Sequence, residues 1–367
     1  MTYLDYGATS FHKPPQVSRA MDRALRTCAN PGRGGYAAAR EADRVVYRCR
    51  ERAAGLFGCL PERVIFTANC TQGLNMAIHT LVKPGSRVVI SGFEHNAVVR
   101  PLYALGAKVS VAGRKLFDWE DTLEDFRKAL DRGADAAVFT HVSNVFGYIL
   151  PVEELAALCR SRGVPFVVDA AQSAGAIPVN LDKWGADFVA MPGHKGLLGP
   201  QGTGLLLCKD SAEPLLFGGT GTDSRNPRMP ADLPERLEAG TLNVPGIAGL
   251  GAGLAFLQQR GLHGDREHRC LRYCVPRLRA LGMEVFAGEH QLGTLAFRCG
   301  RDCEEAAEAL AEEGICLRPG LHCAPLAHES AGTLETGVLR VSFGWMSTPG
   351  DCDRLLRAVS KGKSIQT

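Results

Sequence analysis

The sequence lacks the features that mark membrane-spanning, secreted and nucleic-acid-binding proteins. No apolar run approaches the roughly 20 residues that a membrane span needs. The N-terminus has no basic region followed by an apolar core, so we expect no signal peptide. The 42 basic and 39 acidic residues are interspersed, which leaves no basic tract for nucleic acid or anionic lipid. We therefore expect a cytoplasmic protein that binds neither nucleic acid nor membranes.

The thirteen cysteines form no CxxC pair and no metal-finger spacing. Cys270 and Cys274 would lie on one face of a helix, a spacing more typical of packing than of ligation. In a chain without a secretion signal we expect reduced thiols, most of them small buried apolar side chains. The sequence therefore predicts no metal site and no disulfide framework, and a functional thiol has to be identified by its neighbours.

The order of short apolar strands and amphipathic helices predicts an α/β fold. From residue 60 to about 250 they alternate, which indicates a mostly parallel sheet covered on both faces. We expect one large domain at 16–250, a smaller C-terminal α+β domain at 251–367, and an irregular segment at 1–15 that packs with the small domain. The predicted strands are 64–67, 87–90, 107–111, 136–139, 164–168, 187–190, 205–207, 283–286, 294–298, 315–317 and 338–342. The predicted helices are 16–29, 38–57, 71–81, 96–104, 120–131, 152–161, 246–260, 264–281, 302–313 and 350–360.

A lysine between glycines follows the predicted strand at 187–190. Gly193 and Gly196 flank Lys195 closely, and glycines allow a flat ligand to approach the backbone. Burial at such a place lowers a lysine pKa and makes the amine a nucleophile. We predict a Schiff base between Lys195 and pyridoxal 5'-phosphate (PLP). The alternative is a solvated loop lysine.

Polar residues follow the other parallel strands, where ligands bind in open sheets. Asn69 and Thr71 open a helix whose N–H groups could bind phosphate, or they act simply as N-caps. His95 could stack on a planar ring, or cap or pack a helix. Asp169 ends a strongly apolar strand, where a buried carboxylate needs a cation such as a protonated pyridine nitrogen.

With these residues in place, the sequence resembles the fold-type I, class V aminotransferase-like PLP enzymes. Within that group it resembles the cysteine desulfurases and selenocysteine lyases with a short acceptor loop. The resemblance runs from Tyr3-Leu4-Asp5 to about Thr348. It implies that Lys195 is the Schiff-base lysine, that Asp169 pairs with the pyridine nitrogen and that His95 stacks on the ring. The resemblance also implies that the remaining cofactor-binding residues are Cys70, Thr71, Asn144, Gln172, His194 and Thr241.

Two positions depart from the family pattern in the phosphate site. Pro192 stands where many members have a phosphate-binding serine, and Cys70 stands where many have threonine. The resemblance therefore fixes the lysine more firmly than the phosphate contacts.

A proline- and glycine-bounded segment in the second domain distinguishes between reactions. Cys323 lies between Pro319-Gly320 and Pro325 and matches the desulfurase cysteine that accepts sulfur. Arg340 matches the arginine that binds the substrate carboxylate, for which a planar guanidinium is suited. Its alternative is an edge-strand arginine in solvent. Asn144 and Arg318 complete the expected substrate site, and catalysis is assigned to Lys195, Cys323, His95 and Asp169.

The resemblance thus implies conversion of L-cysteine to L-alanine, with the sulfur held on Cys323 as a persulfide. L-Selenocysteine is an alternative substrate that the family can process without the cysteine thiol. A C–S β-lyase acting on another cysteine derivative, a transaminase and a non-catalytic scaffold are further alternatives. The family pattern also implies a homodimer, in which Thr241 serves the neighbour's phosphate, and a sulfur or selenium acceptor protein. No residue identifies that acceptor or the pathway.

Overall fold

Seven strands build the central sheet of the computed structural model, which describes residues 1–32, 34–210 and 212–364. Their order is β2-β8-β7-β6-β5-β3-β4, and every neighbouring pair is parallel except those of β8, which runs antiparallel to β2 and β7. The strands are β2 Val64–Thr67, β3 Arg87–Ser91, β4 Lys108–Ala112, β5 Ala136–Thr140, β6 Phe166–Asp169, β7 Phe188–Pro192 and β8 Gly204–Cys208. All seven predicted strands are present, and the mostly parallel α/β sheet is confirmed.

Two hydrophobic cores cover the two faces of this sheet. The helices of this part of the chain are α1 Pro15–Thr27, α2 Ala37–Phe57, α3 Cys70–Leu81, α4 Asn96–Ala104, α5 Trp119–Asp131, α6 Val152–Ser161, α7 Leu181–Trp184 and α8 Val244–Arg260. Successive strand residues point to opposite faces, so Val88 and Val167 pack with helices α3 and α4, whereas Val89 and Val168 pack with α2, α5, α6 and α8. The predicted helices here are confirmed, and the short α7 was not predicted.

A second, antiparallel sheet follows with strand order β12-β13-β10-β9. Its strands are β9 Glu284–Phe286, β10 Thr294–Arg298, β12 Arg318–Gly320 and β13 Val338–Ser342. The accompanying helices are α9 Gly264–Ala280, α10 Cys303–Glu312, α11 Pro325–Ala331 and α12 Pro349–Ser364. The segment 318–325 was predicted as a loop, but β12 occupies its first three residues and α11 begins at its last residue. Residues 365–367, the end of the predicted small domain, lie outside the described residues.

The N-terminal segment is more regular than predicted. Strand β1, Thr2–Tyr3, pairs in parallel with β11, Ile315–Cys316. Leu4 packs fully buried in the core formed by α9, α10, α12 and the second sheet. Asp5 then bridges to Ser342 of β13. This pairing brings a residue near the start of the chain beside the strand that carries Arg340.

None of the helices in the described ranges combines the length and apolar character that crossing a bilayer requires.

Candidate active site

The carboxyl ends of four parallel strands meet at one edge of the central sheet. The polar residues that follow β3, β5, β6 and β7 therefore converge there. Lys195 interacts electrostatically with Asp169 and with Arg340 of the second sheet, and its positive charge helps to lower the pKa of His95. His95, Asp169 and Lys195 are thus brought together at this edge, with Arg340 of the second sheet beside them.

The turn after β7 presents Lys195. The Gly193 N–H donates to the Thr203 carbonyl at 2.8 Å, and the Leu198 N–H donates to the carbonyl of Lys195 itself at 3.0 Å. Burial and the neighbouring Arg340 lower the pKa of Lys195, and Asp169 partly offsets this. The side chain is therefore no freely solvated loop lysine, and more of its amine is neutral and nucleophilic near neutral pH.

Asp169 is the last residue of β6 and is 3% exposed. Its Oδ1 accepts hydrogen bonds from the Ala171 N–H at 2.9 Å and from the Cys70 thiol at 3.5 Å. Burial raises the pKa of Asp169, although these donors and Lys195 act in the opposite direction. Among the described residues Asp169 forms no salt bridge. A buried carboxylate without an ion pair fits a ligand that brings its own ring N–H cation.

Helix α3 begins beside this carboxylate. Asn69 is its N-cap, and the Asn69 side chain accepts from the Gln72 N–H at 2.9 Å. The predicted alternative of a simple cap is therefore correct for Asn69, whereas Cys70 and Thr71 supply the first helical N–H groups. Thr71 is exposed at this positive helix end. The arrangement offers a phosphate group both a hydroxyl and backbone donors.

His194 faces the N-terminal segment. Its Nδ1 lies 3.0 Å from the hydroxyl oxygen of Thr9, and burial together with Lys195 and Lys13 lowers the pKa of His194 to about 4. Its ring is therefore neutral near pH 7. Pro192, the departure from the family pattern, ends β7 opposite Gly204.

His95 serves as the N-cap of α4. Its Nδ1 accepts from the Ala97 N–H at 3.0 Å, so Nε2 carries the proton of the neutral ring. Burial, with Lys195 and Arg340, lowers the pKa of His95 to about 4. The capping bond fixes one edge of the imidazole and leaves the ring faces for contact with a planar ligand.

Gln172 and Thr241 are the remaining predicted cofactor residues. The Gln172 Nε2 donates to the carbonyl of Gly7 at 3.0 Å, so this side chain contacts the N-terminal segment. Thr241 is exposed in the loop before α8. An exposed threonine is accessible to a second chain.

Arg340 is 3% exposed because β13 lies between β12 and β10. The alternative of an edge-strand arginine in solvent is therefore wrong. Its Nη2 donates to Asp5 Oδ1 at 2.7 Å and its Nη1 donates to the Asn144 carbonyl at 3.1 Å. Asp5 also receives two hydrogen bonds from Arg318, at 3.2 and 2.9 Å.

Cys323 is exposed at the tip of the turn between β12 and α11. His322 and Cys323 have φ values of 52° and 56°, which only a strongly held turn imposes on residues with a side chain. The Cys323 carbonyl accepts from the Asn96 N–H at 2.7 Å, which connects the turn to the start of α4 beside His95. The thiol is thus placed near the site by backbone contacts.

Three features were missed in the sequence. Asp5 had no signal, because its partners lie 313 and 335 residues away. Glu94 is fully buried beside His95, and burial raises its pKa to about 8. His263 Nδ1 lies 2.6 Å from Glu267 Oε1, and its Nε2 lies 3.0 Å from the carbonyl of Gly196, next to Lys195. The i,i+4 spacing of His263 and Glu267 could have revealed that pair.

Comparison with known proteins agrees with this architecture. The family model for aminotransferase class-V matches residues 2–355. A probable cysteine desulfurase of Methanothermobacter thermautotrophicus is 34% identical, over 94% of this chain and 90% of the relative. A cysteine desulfurase of Escherichia coli O157:H7 is 30% identical, over 98% of this chain and 93% of the relative. The apo structure of a cysteine desulfurase from Thermococcus onnurineus NA1 superposes with a TM-score of 0.90 at 31% identity and covers 98% of this chain and 94% of that one.

The chain is therefore a member of the aminotransferase class-V family. Within that family, the relatives reported above carry the name cysteine desulfurase.

Proposed function

We propose that this protein is a PLP-dependent cysteine desulfurase that converts L-cysteine to L-alanine and keeps the sulfur on Cys323 as a persulfide. The observation that carries the proposal is the exposed Cys323 thiol on a turn whose backbone is bonded to Asn96, beside His95. A transaminase needs no such thiol. The names of the relatives at 34% and 30% identity support the same reaction.

The residues present fit PLP as the cofactor. Lys195 would bind its aldehyde carbon, Asp169 its ring N–H, and His95 one face of the ring. Cys70, Thr71 and His194 would hold the phosphate, with Thr241 from a second chain, and Gln172 would bond the phenolic oxygen. When bound, PLP supplies an electron sink that stabilises negative charge at the substrate Cα.

The protein residues then bind substrate and move the proton. Arg340 would hold the substrate carboxylate, with Asn144 and Arg318 beside it. Lys195 Nζ, with its lowered pKa, would take the Cα proton. Neutral His95 would stay uncharged against the ring and so would not repel its cationic nitrogen.

Cys323 Sγ would attack the substrate sulfur as a thiolate. The new S–S bond forms as the substrate Cβ–S bond breaks, and the electron pair of that bond stays on Cβ, which a proton then converts to the methyl group of alanine. One L-cysteine and one thiol thus give one L-alanine and one persulfide. The step consumes no outside oxidant or reductant.

The wider setting is part of the same proposal. Exposure of Thr241 supports a homodimer in which this residue reaches the partner's phosphate. A thiol-bearing acceptor protein would take the sulfur from exposed Cys323. The three predicted units, 1–15, 16–250 and 251–367, and a cytoplasmic location are retained as proposals.

The test uses the purified holoprotein. We expect visible absorbance that changes on addition of L-cysteine, and we expect equimolar alanine and sulfide with a reducing thiol. Lys195→Ala should abolish the absorbance and the activity. Cys323→Ala should keep the absorbance but lose alanine formation from L-cysteine. Full turnover by Cys323→Ala would contradict the acceptor role.

The same variant distinguishes the alternatives. Selenocysteine turnover that survives in Cys323→Ala, with no cysteine turnover in the unmodified protein, would indicate a selenocysteine lyase. Pyruvate and ammonia in place of alanine would indicate β-elimination, whereas 3-mercaptopyruvate would indicate transamination. None of the relatives reported above is named for those activities.

A further inference from the structure

Five residues around the candidate substrate site form a closed ring of hydrogen bonds. Arg318 donates to Asp5, and Arg340 donates to Asp5 and to the Asn144 carbonyl. The Asn144 Nδ2 donates to the His322 carbonyl at 2.7 Å. The His322 Nε2 donates to the Arg318 carbonyl at 3.1 Å and so closes the ring. The ring therefore joins the arginine that would bind substrate to the turn that carries the acceptor thiol.

Asp5 is the only carboxylate in this ring, and it serves both arginines. Its Oδ1 bonds Arg340 and its Oδ2 bonds Arg318, while its side chain is 12% exposed. Two guanidinium groups and one carboxylate leave the ring with one net positive charge. A second carboxylate would balance that charge.

Arg340 also has a donor ready for such a carboxylate. Its Nε is buried and has no hydrogen-bond partner among the described residues. A buried donor without a partner is destabilising, so a ligand oxygen that accepts from it is favoured. With Asp5 in place, the ring thus still has one unbalanced positive charge and the free Nε donor of Arg340. Both are available to one incoming carboxylate.

Resting on the proposed function, we propose that Asp5 is a positioning residue that couples carboxylate binding at Arg340 to the placement of Cys323. With substrate bound, the ring carries two positive and two negative groups and holds the turn at His322 in its left-handed conformation. Without Asp5, Arg340 still attracts the carboxylate, but the side chain of Arg318 is no longer held to it, and only the path through Asn144 still joins Arg340 to the acceptor turn.

The first test is the steady-state kinetics of Asp5→Asn holoenzyme with L-cysteine. Asparagine keeps the size but removes the charge, and its amide nitrogen cannot accept from an arginine. We expect kcat to fall about tenfold, since misplacement of a reacting group lowers the rate. KM should stay the same or fall, because Asp5 no longer offsets the positive charge of Arg340 that attracts the substrate carboxylate. Unchanged kcat would overturn the proposal.

Arg318→Gln opens the same ring from the other side and leaves the contact between Asp5 and Arg340 intact. Here kcat should again fall about tenfold, whereas KM should rise because a positive charge has been removed. This opposite movement of KM at equal loss of kcat is not expected of general destabilisation. Arg318→Gln also keeps the proposal testable if Asp5→Asn does not fold, and unchanged kcat in this variant would likewise contradict it.

The second test does not depend on turnover. The rate of Cys323 alkylation by iodoacetamide is followed by peptide mass spectrometry, with and without saturating L-alanine, whose carboxylate would bind Arg340. We expect L-alanine to slow alkylation in the unmodified holoprotein and to do so at least about fivefold less in Asp5→Asn and Arg318→Gln, the lower end of the coupling that is usual between linked sites. Equal protection in all three proteins would show steric shielding alone and would overturn the coupling.

The matched control is Glu284→Gln, which removes the carboxylate of an arginine pair in the same antiparallel sheet. Glu284 pairs with Arg298 across β9 and β10, outside the site. This variant should leave kcat, KM and the alkylation rate unchanged. A fall in kcat like that of Asp5→Asn would show that any disturbance of the antiparallel sheet has this effect, and it would contradict a specific role of the ring. If the protein makes no alanine from L-cysteine yet shows the L-alanine effect on Cys323, the proposed function fails and the coupling stands.

Discussion

The side-chain amide of Asn144 donates a 2.7 Å hydrogen bond to the backbone carbonyl of His322, the residue before Cys323. Asn144 follows β5 of the central sheet, whereas His322 belongs to the turn after β12. This bond is therefore a direct polar connection between the parallel sheet and the acceptor turn.

Asn144→Ala should uncouple the turn from the central sheet. Its backbone carbonyl still accepts from Arg340, so of the hydrogen bonds made within the chain only the one to His322 is lost. Removing one buried hydrogen bond should lower the free energy of unfolding by about 1 kcal/mol. Persulfide formation on Cys323 after one equivalent of L-cysteine should slow about tenfold, because the thiol is misplaced. Rapid-quench mass spectrometry measures this rate. Asn226→Ala, in an exposed turn, is the control and should match the unmodified protein.

The pair of His263 and Glu267 should make stability depend on pH. Burial lowers the pKa of His263, but Glu267 and the Gly196 carbonyl together raise it above its ordinary value. A raised folded-state pKa adds stability that is complete below the unfolded pKa, near 6.5, and is lost as pH rises through the folded value. The urea midpoint should thus fall from neutral to alkaline pH.

His263→Gln should lack that alkaline component, because a glutamine side chain has no proton to release over this pH range. The histidine control is His290→Gln, which removes a ring that stacks on Trp119. Urea midpoints measured at several pH values compare the three proteins. Parallel curves for His263→Gln and the unmodified protein would refute the pH role of the pair.

Gly175 allows its backbone to pack closely against the turn that carries Lys195. Its φ is 89°, and a Cβ there would run into the carbonyl oxygen of Gly196. Gly175→Ala should therefore cost on the order of 1–3 kcal/mol and displace the turn. Cofactor absorbance per chain should fall. Gly163→Ala is the control. Its φ is also positive, at 64°, but no atom of the residues that the structure describes lies within 4 Å of its Cβ position, so only backbone strain should appear and the absorbance should be kept.

Glu238 anchors the segment that leads to Thr241. It forms a buried ion pair with Arg50, and its Oε1 accepts from the Phe66 N–H at 2.6 Å. Glu238→Gln should lower the free energy of unfolding by about 3 kcal/mol, because it leaves Arg50 charged and buried without a counterion. Glu124→Gln, in an exposed pair with Arg127, should cost less than about 1 kcal/mol. Denaturant titration distinguishes the two, and equal losses would contradict the burial argument.

The central sheet was predictable because each strand carries its own signal. Residues 64–67 and 136–139 are short apolar runs between helices, and both are strands at those positions. Local patterns also located Lys195 and Asp169, because chemistry follows the carboxyl ends of parallel strands. These features depend on neighbours in the sequence.

The unpredicted elements depend on distant partners instead. Thr2–Tyr3 is too short to show alternation and becomes a strand only against Ile315–Cys316. Arg318–Gly320 contains proline and glycine, which disfavour strands, yet it pairs at the edge of the second sheet beside β13. The same reason explains why Asp5 could not be assigned a partner before the fold was known.

The accessibility of the thiols has a practical consequence. All thirteen cysteines fall within the described ranges, and Cys323 alone among them is classed as exposed, while seven are buried. Sulfur delivered by the reaction would therefore accumulate on a single residue, Cys323. One added sulfur atom per intact chain after a single turnover would show that its Cys323 is a competent acceptor. Intact-mass spectrometry would therefore give the fraction of active enzyme in a preparation.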